Sequence, residues 1–346
     1  MGIALGRFTG ALRAAHRGSD IAARVAEFEG WVERCDAAEA GSSVYDHTHT
    51  VNEYYDLCNQ FMELGWGESL QFAPVAAREP LARAIARHQR VMIDKLRLES
   101  GMDVVDIGCG FGALMRRVAG EADVRVVGVN NNEHQVEQAV LRNREAGLGD
   151  RTDCIKCNIM DMGSIAPSSF DRSYAIESTC HTPSRAKAYA EIFRILKPGG
   201  LFWGQEMCMT DRYDPTSAEH RAIKQDLRRY IALQEIPGFG EVNAALAAVG
   251  FEVLEGFDRS NTEGCTVPWY APMSGRGERL GRGLLRRPAV RKALTAPAKA
   301  AELLRILPRG SARVIGLCNR AVDAYTAGGE AGIYTPLYCF LAQKPA

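Results

Sequence analysis

From residue 103 the chain alternates short apolar runs with amphipathic stretches, and this rhythm limits the folds open to it. Strands are expected at 103–107, 124–129, 153–157, 171–177, 201–206, 251–257 and 338–343, with helices at 112–119, 133–146, 184–196 and 241–249 between them. Strand then helix, repeated, builds a mostly parallel sheet covered on both faces. The helix at 184–196 ends in Leu-Lys-Pro-Gly-Gly, where proline and the glycines stop it and feed the next strand. The expected class is therefore α/β: a seven-stranded, mostly parallel sheet flanked by helices.

Two regions break the rhythm. Residues 1–80 read as a helical and aromatic lid. Residues 1–40 look helical, and 44–75 are dense in aromatics and loop breakers. Residues 81–274 form the core, opened by a helix over 80–98 with Pro80 suited to its first turn. Residues 275–332 form a basic helical insert, and 333–346 supply the final strand. Between 275 and 313 stand eleven Arg/Lys against two Glu, interspersed with leucine and valine and split by Pro288, Pro297 and Pro308. Such a stretch is either solvated surface or a segment resting on anionic lipid.

Composition narrows the partners. Lys+Arg and Asp+Glu balance at 42 each, so no basic bias suggests nucleic acid. Ten cysteines are scattered through apolar or helical stretches. Only Cys154 and Cys157 form a C-x-x-C, without a second pair or a histidine at metal-ligand spacing, so no metal site is expected. Reduced cysteines packing as small apolar groups fit a cytoplasmic protein. No apolar run reaches the roughly 20 residues of a membrane span, and Arg7, Arg13, His16 and Arg17 interrupt any signal-peptide core.

The loop Val104–Gly112, VVDIGCGFG, follows a strand and opens a helix. Gly108, Gly110 and Gly112 are spaced two apart, with Asp106 just before and Cys109 between. A dinucleotide loop has wider spacing and receives a pyrophosphate. An acid here repels phosphate but serves a cationic, amino-acid-bearing cofactor, and glycines let the backbone pass close to it. The pattern points to S-adenosyl-L-methionine. After the second strand, where an acid usually holds the ribose, stand Asn130, Asn131 and Asn132, with Gln135 in the next turn. A neutral Asn130 still donates and accepts hydrogen bonds. Asn158 and Ile159 follow the third strand, where an amide oxygen accepts from adenine less strongly than a carboxylate.

At this point the sequence resembles the sterol C24-methyltransferase family. The resemblance rests on YYDL and GWG at 54–67, IARH at 85–88, DIGCGFG, VNNNEHQ, YAIESTCH at 174–181, ILKPGG, MTDRYD at 209–214, PWY at 268–270 and YTPLYCFLAQKP at 334–345. It covers roughly residues 50–346, and the triple asparagine is itself a habit of that family. Departures fall in substrate-facing stretches, at Gln60, Met62, Leu64, Leu70, Gln71 and in YIALQE before IPG.

The resemblance implies a class I methyltransferase fold and carbon methylation of an alkene in a sterol side chain. The resulting tertiary cation undergoes a hydride shift and loses a proton. Such a site excludes water and stabilises the cation with aromatic faces. The candidates are Tyr54, Tyr55, Phe61, Trp66, Phe72, Trp269 and Tyr270, with Trp66 expected to face the cation. Glu177 and His181 end the fourth strand, where acceptor chemistry belongs. His181 suits the final deprotonation near neutral pH, or caps the next helix. Glu68 and Glu206 are rival bases, Tyr174 completes the catalytic set, and Glu177 also borders the cofactor. His88 is either a site residue or helix surface. Another terpene alkene or an unsaturated acyl chain is the alternative acceptor. A homo-oligomer and peripheral membrane contact remain open expectations.

Overall fold

The computed structural model describes residues 20–37, 47–275 and 286–346. The helical expectation for 1–19 and 38–40, and the start of the basic insert at 276–285, lie outside them. Along the chain run α1 (Ile21–Ala37), α2 (His47–Gly65), α3 (Leu81–Leu96), β1 (Asp103–Ile107), α4 (Ala113–Ala122), β2 (Arg125–Asn130), α5 (Glu133–Glu145), β3 (Thr152–Lys156), β4 (Phe170–Ile176), α6 (Arg185–Ile195), β5 (Leu196–Met209), α7 (Ala218–Ile231), α8 (Phe239–Ala248), β6 (Glu252–Asp258), α9 (Pro288–Ala293), α10 (Thr295–Leu303), α11 (Ser311–Glu330) and β7 (Tyr334–Gln343).

The chain divides into two compact units. A sheet unit takes Gln71–Tyr213, Glu235–Trp269 and Gly332–Ala346, and a helical unit takes Met1–Leu70, Asp214–Gln234 and Tyr270–Ala331. The N-terminal helices and the insert before β7 thus belong together, joined by α7, which periodicity did not single out. In the helical unit, Ile21, Val25, Phe28 and Trp31 form one stripe of α1. That stripe packs with Val51, Tyr54, Leu57 and Cys58 of α2 and Val314 and Leu317 of α11. Three- and four-residue spacing puts each set on one helical face. Among the described residues no helix is long and apolar enough to cross a membrane.

The sheet unit orders its strands β3-β2-β1-β4-β5-β7-β6. β7 runs antiparallel to β5 and to β6, and the other pairs are parallel. All seven expected strands form. β5 and β7 begin earlier than expected: β7 is buried from its first residue and lacks the alternation that marks an edge, whereas the early start of β5 is the partly exposed segment 196–200. Alternate residues feed two cores: Val105, Ile107, Phe202 and Phe340 on one face, Val104, Tyr174, Trp203 and Leu341 on the other. Gly204 has a packing reason, since a Cβ there would run into the Phe340 ring. The parallel strands deliver their C-terminal ends to one edge, where loops gather catalytic and binding groups.

Candidate active site

The loop after β1 is built tightly. Gly108 and Cys109 donate backbone N–H groups to the Val129 carbonyl at 2.8 and 3.1 Å, and Gly112 N–H closes onto the Cys109 carbonyl at 2.9 Å. Gly108, Gly110 and Gly112 have φ of +83°, +52° and +72°, a region L side chains avoid. The three glycines then differ. A Cβ at Gly108 would strike Ser178, whose hydroxyl donates to the Ile107 carbonyl and clamps the β4 loop onto the β1 loop. A Cβ at Gly112 would crowd Asn143 and Ala139 of α5. At Gly110 a Cβ would meet nothing within 4 Å. Gly110 therefore borders open space that a ligand can enter.

Behind this loop Asp106 is 3% exposed. Burial pushes its carboxyl up to about 7, offset only in part by the Tyr174 hydroxyl beside it. Its Oδ2 makes no regular hydrogen bond within the protein. An orphaned buried acceptor beside a glycine cradle fits a cationic, hydrogen-bond-donating ligand. Tyr174, expected to be catalytic, is opposite Asp106 in the strand register and fully buried. It serves the core and Asp106, and does not present its hydroxyl to an acceptor.

The asparagines divide their work. Asn130 Nδ2 donates to Gln135 Oε1 at 2.7 Å, and its Oδ1 accepts from Asn131 N–H at 3.1 Å. Asn132 caps α5 by accepting from Gln135 N–H at 2.9 Å. Asn130 and Gln135 thus shape the turn with the groups expected to meet a ribose, and among the described residues the Asn131 side-chain amide takes no part in that turn. Asn158 Oδ1 accepts from Met160 N–H at 2.9 Å in a local turn, so its oxygen too is partly spoken for. Ile159 packs at the rim of the core.

Glu177, just past the end of β4, is the most unusual acid among the described residues. Its φ is +52°, a strained value for a non-glycine residue. Its Oε1 accepts from Phe72 N–H and from Gln205 Nε2, both at 2.7 Å, while among the described residues no donor is seen at its Oε2. Burial raises its carboxyl to about 8, against the lowering effect of those two donors. Gln205 Oε1 pairs with His88 Nε2 at 2.8 Å. An amide oxygen only accepts, so His88 carries its proton on Nε2. Burial pulls His88 down to about 4, leaving it neutral with a buried, unpartnered Nδ1. His88 is therefore a buried network residue, not helix surface. Sequence reasoning missed Gln205. The signal was two consecutive polar residues, Gln205 and Glu206, inside an otherwise apolar strand.

Glu206 points to the other face of β5. It accepts from Thr179 Oγ1 and from Tyr189 OH at 2.9 Å, and pairs with Arg185 Nε at 3.5 Å. It is fully buried with both oxygens engaged, which removes it from the candidate bases. Arg185 also donates to the Cys180 and Glu235 carbonyls. This cluster fixes the turn Thr179–His181, where His181 is buried.

Of the expected aromatics, Phe72 and Trp269 meet edge to face at 5.3 Å, and Trp269 meets Tyr334 at 5.8 Å. This group adjoins Glu177 through the Phe72 backbone. The remaining candidates lie in the helical unit. Tyr54 is 2% exposed and belongs to the core around Phe28. Tyr55 and Phe61 pack against that core. Tyr270 lies against Gly329, where a Cβ would strike its ring. Glu68 is exposed. Trp66 carries the Arg286 guanidinium 5.5 Å over its ring, so a cation already occupies one face of the ring expected to meet a carbocation.

The sheet order, the glycine cradle and the acid-lined β4 edge define a class I methyltransferase. Residues 43–259 match the family model for mycolic acid cyclopropane synthetase, and 287–346 match that for the sterol methyltransferase C-terminal region. The cycloartenol-C-24-methyltransferase 1 of Oryza sativa subsp. japonica is 38% identical over 301 residues, covering 87% of this chain and 86% of the relative. The sterol 24-C-methyltransferase of Saccharomyces cerevisiae is 32% identical over 321 residues, covering 91% and 83%. The cyclopropane synthase MmaA2 from Mycobacterium tuberculosis shares the fold with a TM-score of 0.67, at 20% identity over 88% of this chain and 100% of that one. The chain belongs to the sterol 24-C-methyltransferase family.

Proposed function

We propose that this chain binds S-adenosyl-L-methionine in the cradle around Gly110 and methylates the C24 alkene of a sterol side chain. One observation carries the cofactor reading: the glycine loop leaves open space at Gly110, and Asp106, four residues earlier, buries an Oδ2 that makes no regular hydrogen bond. When bound, the cofactor supplies an electrophilic methyl on a sulfonium with a neutral leaving group, so no metal is required. Gly108 to Gly112 let its backbone-facing side approach, Asp106 accepts from its ammonium, and Asn131 offers its side-chain amide to the ribose.

Glu177 is the proton acceptor in this reading. Oε1 is held by Phe72 N–H and Gln205, and Oε2 is left for the acceptor's proton. A carboxyl raised to about 8 is a stronger base once ionised than an ordinary glutamate. Phe72 and Trp269 present apolar surface beside it, which excludes water that would trap a cationic acceptor carbon. The acceptor is a water-insoluble membrane lipid, so the enzyme works at a lipid surface.

The cofactor site is tested by Gly110→Val. The variant is expected to lose calorimetric binding of adenosylhomocysteine, and retained wild-type affinity would move the site elsewhere. The acceptor is tested with labelled cofactor and a panel of Δ24 sterols, acyclic triterpenes and unsaturated phospholipids. Label in the sterols supports the reading, and label only in the phospholipids replaces it with an acyl-chain acceptor.

A further inference from the structure

Six large apolar side chains are exposed among the described residues, and four lie within thirteen positions: Leu294, Leu303, Leu304 and Ile306. Leu303 is 86% exposed and Leu304 70%. They sit where α10 ends. Arg305 N–H bonds to the Glu302 carbonyl, Ile306 N–H bonds to the Ala301 carbonyl, and Arg305 has φ +57°. This is a helix-ending cap of the kind glycine normally makes. Such a cap usually tucks an apolar residue from just past the turn against the helix. Here Ile306 remains 48% exposed and both leucines point to solvent.

The turn is rigid at its base. Glu302 Oε1 accepts from Ala312 N–H at 2.6 Å and so caps the first turn of α11. Gly310, at φ +96°, approaches the α1 backbone so closely that a Cβ would strike Ala22. The one acid of the segment 286–313 is therefore engaged, and the same segment carries eight Arg/Lys. Arg291 and Lys292 share Asp323 as an ion-pair partner, and Arg313 shares Glu29 with Arg320. Lys299, Arg305 and Arg309 are exposed around the leucines.

A pre-shaped apolar tip with a cationic collar has a definite complement. We propose that the turn Leu303–Ile306 inserts into the interfacial region of an anionic bilayer while Lys299, Arg305 and Arg309 contact its headgroups. Apolar side chains gain by leaving water at that depth, and basic groups gain from the negative surface potential. This rests on the reading that the acceptor is a membrane lipid, and it names the surface by which the enzyme reaches it.

The test is flotation of the full chain with sterol-free vesicles of phosphatidylcholine, with or without phosphatidylserine. The wild type is expected to float with the anionic vesicles and to be released by salt. Leu303→Asp with Leu304→Asp should lower partitioning about tenfold or more. A control, Leu141→Asp with Leu254→Asp, alters exposed leucines elsewhere and should bind as the wild type. Adenosylhomocysteine affinity, and turnover of detergent-dispersed sterol, should be unchanged in both variants. Wild-type flotation of the tip variant, or no flotation of the wild type, overturns the proposal. So does a dimer, seen by sedimentation velocity, that the tip variant dissociates without altering flotation. Because the vesicles hold no sterol, failed turnover with intact flotation counts against the acceptor reading alone.

Discussion

Glu177 and Glu206 are both buried glutamates of the sheet unit, yet their surroundings differ in kind. Glu206 has a guanidinium, a phenol and a hydroxyl, so both of its oxygens are engaged and its charge has a countercharge. Glu177 has a peptide N–H and a carboxamide on one oxygen and no cation. Gln205 and Glu206, side by side on β5, serve these opposite settings from opposite faces of the strand. A carboxylate with a buried countercharge is an anchor, costly to disturb and of little use for accepting a proton. A carboxyl held by neutral donors at raised pKa is costly to ionise and is poised to exchange a proton near neutral pH.

The largest expected effect is on turnover in Glu177→Gln. The amide keeps its shape and an oxygen for Phe72 and Gln205 but cannot take a proton, so kcat should fall about a hundredfold or more with little change in KM. Stability should move the other way. The folded-state pKa of Glu177 is raised to about 8, so the protonated form supports the fold. That contribution is complete below about 4.5, the ordinary glutamate value, and is lost as pH climbs through 8. The variant should therefore melt increasingly above the wild type as pH rises from 5 to 8. Parallel melting curves would erase the contrast between the two acids.

The second test strikes the anchor. Glu206→Leu leaves Arg185 buried without its countercharge and should cost about 3–5 kcal/mol in urea unfolding. Adding Arg185→Leu should return part of that loss. A cost under about 1 kcal/mol, as for surface pairs, would mean that the Glu206 charge is not what holds the Thr179–His181 turn.

The strands, the glycine loop and the β4 edge were legible in the sequence because backbone periodicity and glycine spacing are local signals. The division of labour among acids was not. Glu177, Glu206 and Glu68 are the same letter, and only tertiary placement separates a half-held carboxyl, a neutralised one and an exposed one. The aromatic belt misled for a related reason. YYDL places two tyrosines side by side, but α2 turns Tyr54 into its own unit's core, and Trp66 meets an arginine 220 positions later in the chain. Helix α7 was passed over because its charged run, AEHRAIKQDLRRYI, buries only Leu227 and Ile231.

The smallest effect concerns Gln205, and it separates positioning from mere packing. Gln205→Met keeps the volume but removes the donor to Glu177 Oε1 and the acceptor of His88 Nε2. A hydrogen bond to the charged form of an acid lowers its pKa, so losing it should push Glu177 above 8. In kcat/KM the ascending limb reports ionisation of the base in the free enzyme, and it should move to higher pH by up to about one unit. At pH 7 the variant should then be about two- to tenfold slower than wild type, with the deficit closing as pH rises past 9. Stability also falls, because the His88 Nε2–H is left buried without an acceptor. Adding His88→Leu should restore that stability without restoring the limb. If Gln205 only fills space, the rate will fall equally at every pH and the limb will stay where it is. In that case the Gln205 hydrogen bond does not set the acidity of Glu177.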